Sequence, residues 1–217
     1  MASDTYISAG GLGNSAQLSQ RDDRSKMLTR QFSVNYDNTL AEDHTLSVLA
    51  LYEAIDYSGN WMSASREDLL TPSIEELFVG NTETMKNDGA SSEMGRKSFV
   101  GRFNYSYKNK YLLETTLRAD ASAKFAPGHR WGFFPSASLG WRITEESFME
   151  NTKSVLDDLK VRASYGRSGN DAVGNFQYLS GYKLNGYYLL GDKSMSGIVT
   201  TGLANPILSW EKFGIWN

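Results

Sequence analysis

The sequence contains no cysteine, two histidines and four prolines in 217 residues. Without cysteine there is no disulfide framework, no thiolate zinc site and no thiol nucleophile. The two histidines, His44 and His129, leave little for imidazole-based metal or triad chemistry. No sign of charge dominates: 22 Lys and Arg stand against 25 Asp and Glu, a net charge of −3, so a basic field for nucleic acid is lacking. No window approaches the roughly 20 apolar residues of a membrane helix. Met1-Ala2-Ser3-Asp4-Thr5 lacks the basic stretch and apolar run of a signal peptide. These absences exclude helical spanning. They do not exclude a transmembrane β-barrel, whose alternating strands leave little mark on a hydropathy scan.

What the sequence does have is aromatic side chains, 12 Tyr, 10 Phe and 5 Trp, together with 20 glycines. It also has alternation. In Tyr111–Asp120, Tyr111, Leu113, Thr115, Leu117 and Ala119 share one face, and Leu112, Glu114, Thr116, Arg118 and Asp120 the other. From Trp131 to Thr144 the face of Trp131, Phe133, Pro135, Ala137, Leu139, Trp141 and Ile143 opposes that of Gly132, Phe134, Ser136, Ser138, Gly140, Arg142 and Thr144. The same pattern runs through Phe99–Tyr107, Leu159–Gly166 and Phe32–Tyr36, more weakly through 45–57, and with an ambiguous face from Trp210 to Asn217. This predicts about seven strands of roughly 10–14 residues, longer than soluble strands and matching the about 9–11 that cross a bilayer.

The predicted connections alternate short (38–44, Asn109, 145–156) with long (58–96, 121–130, 169–207). Outer-membrane barrels have short periplasmic turns and long extracellular loops. With the short turns at the periplasmic side, Tyr36, Tyr105, Tyr107, Tyr111 and Trp141 fall near that side on apolar faces, and Tyr52, Phe99, Trp131, Phe133 and Tyr165 near the other. Two such rows are expected as interfacial girdles, where an aromatic body prefers acyl chains and its polar tip stays wet. The opposite face carries Arg102, Glu114, Arg118, Asp120, Arg142, Lys160 and Arg162. Charge on the lipid face costs about 2–4 kcal/mol for Arg at the midplane, so this face is assigned to the lumen. The fold class expected is all-β: an antiparallel, up-and-down transmembrane barrel segment with long extracellular loops. A soluble all-β glycan-binding module, such as a sandwich, is the alternative, and would bury both aromatic rows under a second sheet.

Gly101–Leu113, Leu117–Phe125, Arg130–Ile143, Phe148-Met149, Asp158–Asn170 and Asn205–Lys212, in that order, resemble the SusC/RagA-type TonB-linked outer-membrane transporters of Bacteroidetes. The resemblance covers 97–217, with 27–60 a looser fit. It implies a plugged barrel of about 22 strands that carries oligosaccharides or peptides across the outer membrane, driven by TonB, with a SusD-like surface lipoprotein capping it. On that basis the chain reads as one partial barrel domain without its plug. Its expected parts are a loop over 1–26, a strand pair over 27–60, an extracellular loop over 61–96, strands over 97–168, an extracellular loop over 169–207 and a truncated strand over 208–217. Alone it is expected to have no transport activity.

The charged lumen residues are expected to set Glu114 and Asp120 among guanidinium groups of neighbouring strands. They would act as a ladder that orders the wall, or as a path for polar substrate. Trp61, Tyr178, Tyr182, Tyr187 and Tyr188 lie in the predicted long loops and are the candidates for stacking on substrate, or else pack loops together. Gly10–Ser15 lacks the lysine of a phosphate loop. Glu145-Glu146 cannot face each other across a scissile bond and are read as charge in a turn. Asp157-Asp158 reads as a solvated pair. No catalytic centre, metal site or cofactor is expected.

Overall fold

The computed structural model describes the backbone of residues 2–8, 16–71, 73–152 and 155–217, and their side chains apart from those of 2–8 and 185–188. The elements are strands β1 (Ala2–Ser8), β2 (Gln17–Leu40), β3 (His44–Arg66), β4 (Lys86–Tyr107), β5 (Tyr111–Ser122), β6 (Trp131–Arg142), β7 (Lys160–Asn170), β8 (Tyr182–Leu190), β9 (Lys193–Thr200) and β10 (Glu211–Trp216). Eight of them form one sheet in the order β1-β2-β3-β4-β5-β6-β7-β10, and β8 and β9 form a separate hairpin. Sequential neighbours pair antiparallel, as an up-and-down arrangement requires.

The strands extend into segments expected to be loops. β2 and β3 have 24 and 23 residues and β4 has 22. The segment 61–96 is therefore strand at both ends, and among the described residues between them are two single 3-10 turns, Leu77–Val79 and Thr82–Thr84. The segment 1–26 contains β1 and the start of β2, and 169–207 contains the β8–β9 hairpin. The physical reason is visible in Lys86–Glu93, where every residue is exposed and none alternates apolar with polar. Ladder hydrogen bonds hold such a strand without an apolar face, so periodicity cannot find it. β5, β6 and β7, with 12, 12 and 11 residues, are as long as their alternation implied.

Contacts divide the chain into two compact units, one of 1–28 and 56–94 and the other of 29–55 and 95–217. In the first, Leu18 is fully buried. There the Arg21 guanidinium lies 4.1 Å from the centre of the Trp61 ring, and Lys86 pairs with Glu67 at 2.5 Å.

In the second unit the register is continuous. Tyr105, Leu113 and Leu139 align across β4, β5 and β6, and Leu139 faces Ala163 of β7. The β4–β5 turn has Lys108 and Asn109 at φ 52° and 54°, and the Lys110 N–H donates to the Tyr107 carbonyl at 2.9 Å. Two left-handed central residues give a type I′ turn, which matches strand twist. On one face Leu117, Phe133, Leu139 and Val161 are 68%, 64%, 62% and 54% exposed. A sandwich would have sealed these residues. Here the apolar face is open, and the small core of the unit, around Phe125 and Phe134, lies elsewhere.

Candidate functional site

Each face of the second unit has its own chemistry. On the apolar face, aromatic rings approach one another in two rows, between neighbouring strands and, for Phe99 and Trp131, across β5. Tyr52 lies tilted at 42° beside Phe99 with ring centres 5.1 Å apart, and Phe99 stacks toward Trp131 at 6.0 Å. At the other end of the strands Tyr107 lies 4.7 Å from His44 and 6.3 Å from Tyr111, whose ladder partner is Trp141. Tyr36, Phe99, Tyr111, Trp131, Phe133 and Trp141 are exposed, whereas Tyr105, Tyr107 and Tyr165 are half-buried. Tyr105 is bonded to His44 (2.7 Å), and the Tyr165 ring packs on Trp216 at 4.2 Å.

The polar face holds the charged residues, but not as a cross-strand ladder. Asp120 takes both of its bonds from Arg118 Nε, two positions earlier on its own strand, at 2.7 and 2.9 Å. Register places Asn104 and Ser138 opposite Glu114, Thr116 opposite Arg102 and Gly140 opposite Arg162. Glu114 has no cation opposite it in the ladder, but it lines a shallow cavity of about 260 Å³ together with Lys160 and Arg162. Arg142 and Lys160 face one another, and the repulsion is relieved by Asp158 and Glu145, 3.5 and 3.7 Å from Arg142. The pair 157–158 is thus partly engaged rather than wholly solvated.

Beyond Asp120 on the same face is a cavity of about 450 Å³. Arg96, Arg118, Asp120, Arg167, Asp171 and Trp210 help to line it. Its anchor is Asp171, whose side chain is 8% exposed and forms a two-point ion pair with Arg96. Ser122 donates to the same carboxylate at 2.9 Å, and the Lys124 ammonium donates to the Asp171 carbonyl at 3.0 Å. Buried polar groups need such saturation, because an unpaired carboxylate is costly away from water. Beside it the Trp210 indole N–H donates to the Arg130 carbonyl at 2.8 Å, and its ring packs against Phe125 and Phe134 at 5.6 and 5.3 Å. Phe134 is an apolar side chain on the polar face, and Trp210 is what covers it. Gly132 and Gly169 leave room for the Phe134 ring, which a Cβ at either position would overlap.

The turn after β6 forms a second cluster. Glu146 Oε1 accepts from the Tyr111 hydroxyl at 2.7 Å and the Trp141 indole at 3.0 Å, and Oε2 lies 3.4 Å from Lys110. These donors and the ammonium hold the Glu146 carboxyl below its ordinary range. Asp43 beside Lys108 pushes that ammonium up.

The loop aromatics do not converge. Trp61 sits in β3 rather than in a loop, half-buried under Arg21. Tyr178 is half-buried, 6.4 Å from Phe176, and Tyr182 opens β8 at 67% exposed. Tyr187 and Tyr188 belong to β8, but their side chains lie outside the described residues, as does the Gly10–Ser15 segment. Among the described residues no three His, Asp or Glu cluster as metal ligands. Sequence reading missed Arg96, Ser122, Lys124, Asp171 and Glu146 as partners. The signal available was that Lys124-Phe125, Arg167–Asn170 and Trp210 lie in segments carrying the family resemblance. The structure brings those segments together.

A family model described as TonB dependent receptor-like, beta-barrel, matches residues 2–212. TonB-dependent receptor P26 of Formosa agariphila is 30% identical over 207 residues, covering 92% of this chain and 20% of that protein. TonB-dependent receptor SusC of Bacteroides thetaiotaomicron is 42% identical over 124 residues, covering 55% and 12%. The RagAB peptide importer in its closed-closed state has a similar fold, with TM-score 0.83 and 25% identity over 93% of this chain and 22% of that one. This chain spans 20% of the length of P26, and 22% of that of the structural neighbour.

Proposed function

Because the chain belongs to the TonB-dependent receptor-like β-barrel family, we propose that it forms part of the wall of an outer-membrane transporter. The observation that carries this reading is the open apolar face, with Leu117, Phe133, Leu139 and Val161 each more than half exposed. Such a face is stable when hydrocarbon covers it. The two aromatic rows are then the membrane girdles, and the face of Arg102, Glu114, Arg118, Arg142, Lys160 and Arg162 lines the lumen.

The whole transporter imports oligosaccharides or peptides, takes its energy from TonB, and works with a SusD-like surface lipoprotein. Its neighbour RagAB is a peptide importer, and the polar cavity beside Asp171 is suited to hydrogen-bonding either class. Tyr178 and Tyr182, half-buried and exposed respectively, are the residues proposed to meet substrate or the capping partner. The test is uptake by cells expressing the full-length receptor with its lipoprotein, supplied with labelled oligosaccharides and peptides. TonB-dependent accumulation of one class supports the assignment. Accumulation of neither, or uptake unchanged by loss of TonB, contradicts it.

A further inference from the structure

The Glu146 cluster sits at one end of a groove on the apolar face. The groove has a volume of about 510 Å³ and is lined by Tyr111, Leu113, Leu139, Trp141, Val161 and Ala163, among others. Its depth comes from side-chain size: Ala163 pairs with Leu139 in the ladder, and Leu139 pairs with Leu113, so a small residue lies beside two large ones. Tyr111 and Trp141 belong to both features. Their rings line the groove, and their polar ends donate to Glu146. The groove therefore runs from hydrocarbon-compatible side chains to a carboxylate within the length of one aromatic ring.

That carboxylate has capacity left. Oε1 is occupied by two donors, but Oε2 has only the Lys110 ammonium at 3.4 Å, longer than a good charge-assisted bond. The side chains of Glu146 and Lys110 are 15% and 23% exposed, so both remain reachable. The cations nearest in sequence are already engaged, Arg142 by Glu145 and Asp158 and Lys108 by Asp43. What remains is one accepting carboxylate beside one ammonium at the end of an apolar groove.

We propose that this corner of the wall binds a glycerophospholipid with a primary-amine headgroup, an ethanolamine phospholipid. An acyl chain fills the groove, the headgroup ammonium donates to Glu146 Oε2, and the phosphate lies against Lys110. A quaternary choline headgroup has no N–H to donate. An anionic glycerol headgroup would meet the Glu146 charge. The inference rests on the reading that this face is in the membrane.

The experiment is a competition. The full-length receptor is purified in detergent, delipidated, and exposed to equal amounts of phosphatidylethanolamine, phosphatidylcholine and phosphatidylglycerol of the same acyl composition. Bound lipid is counted by native mass spectrometry. The expected result is a preference of about fivefold for phosphatidylethanolamine, the factor that roughly 1 kcal/mol gives. That preference should be lost in Glu146→Gln and retained in Glu145→Gln. Equal retention of the three lipids by the unmutated receptor overturns the headgroup assignment without recourse to any variant. A preference that survives Glu146→Gln places the site elsewhere and also overturns it. The membrane reading is judged separately, by whether positions 117 and 139 contact lipid at all; lipid contact there with no headgroup preference defeats only the present inference.

Discussion

Arg96 on β4 and Asp171 just past β7 form a two-point ion pair although they lie 75 positions apart. The pair ties the middle of β4 to the segment leaving β7, and Ser122 ties the end of β5 to the same carboxylate. Arg96 is 41% exposed and Asp171 only 8%. Removing the acid frees a cation that water can reach, whereas removing the cation strands a buried acid.

Asp171→Ala is therefore expected to cost less than Arg96→Ala. For Arg96→Ala the cost is about 2–3 kcal/mol, below the range for fully buried pairs because Arg96 is partly solvated. Arg96→Lys loses the second bond and falls in between. Thermal unfolding of the full-length receptor in detergent checks the order. Equal losses for both alanine variants would show that Asp171 is not sealed as described.

The Phe134 ring depends on two glycines. Gly169→Ala and Gly132→Ala each place a Cβ where that ring lies. Each is expected to shift Phe134 off Trp210 at a cost of about 1–3 kcal/mol. Gly214→Ala is the control, since its Cβ would meet nothing nearer than 3.5 Å. Melting temperatures and tryptophan fluorescence report on both. An unchanged Gly169→Ala receptor would mean that the ring has another place to go.

The part of this architecture legible in the sequence was the part governed by one face of a strand. β5, β6 and β7 alternate because one face is mostly apolar, and the exposure of Leu117, Phe133, Leu139 and Val161 follows that alternation. The polar halves of β2, β3 and β4 carry no such signature. The Asp171 cluster was illegible for a different reason. Its members are scattered from 96 to 171, and only register brings them together. Glu114 and Asp120 do share cavities with cations of other strands, Glu114 with Lys160 and Arg162 and Asp120 with Arg96 and Arg167, but the bonds Asp120 makes come from Arg118 on its own strand, which register alone does not reveal. Glu146 reads from the sequence as charge in a turn, and the aromatic residues that bond it, Trp141 and Tyr111, lie five and 35 positions away.

Glu146 gives a pH prediction. Its carboxyl is held below the ordinary value of 4.5 by donors from Tyr111 and Trp141, and by Lys110. A carboxyl depressed in the folded state stabilises fully above its unfolded pKa, and loses that contribution as pH falls through the folded value. The melting temperature of the full-length receptor should therefore exceed that of Glu146→Gln at neutral pH. The gap should close as pH drops below the ordinary carboxylate range. A gap that persists or widens in acid would reverse the assigned direction.

Charge placement separates the two faces. Leu117→Arg and Leu139→Arg put a guanidinium on the apolar face, at about 2–4 kcal/mol if it lies near the membrane midplane. Thr116→Arg and Ser138→Arg put it on the polar face, where the cost should be small. Folding yield into lipid vesicles, read by heat-modifiable gel mobility, should fall for the first two and hold for the second two.

The most direct test is a nitroxide scan of residues 112–119 in the full-length receptor reconstituted in lipid. Accessibility to oxygen, which partitions into hydrocarbon, is compared with accessibility to a water-soluble nickel chelate. The expected result is strict alternation, with oxygen reaching 113, 115, 117 and 119 and nickel reaching 112, 114, 116 and 118. Nickel contact at 113 and 117, or no alternation along the strand, would contradict the placement of this face in the membrane.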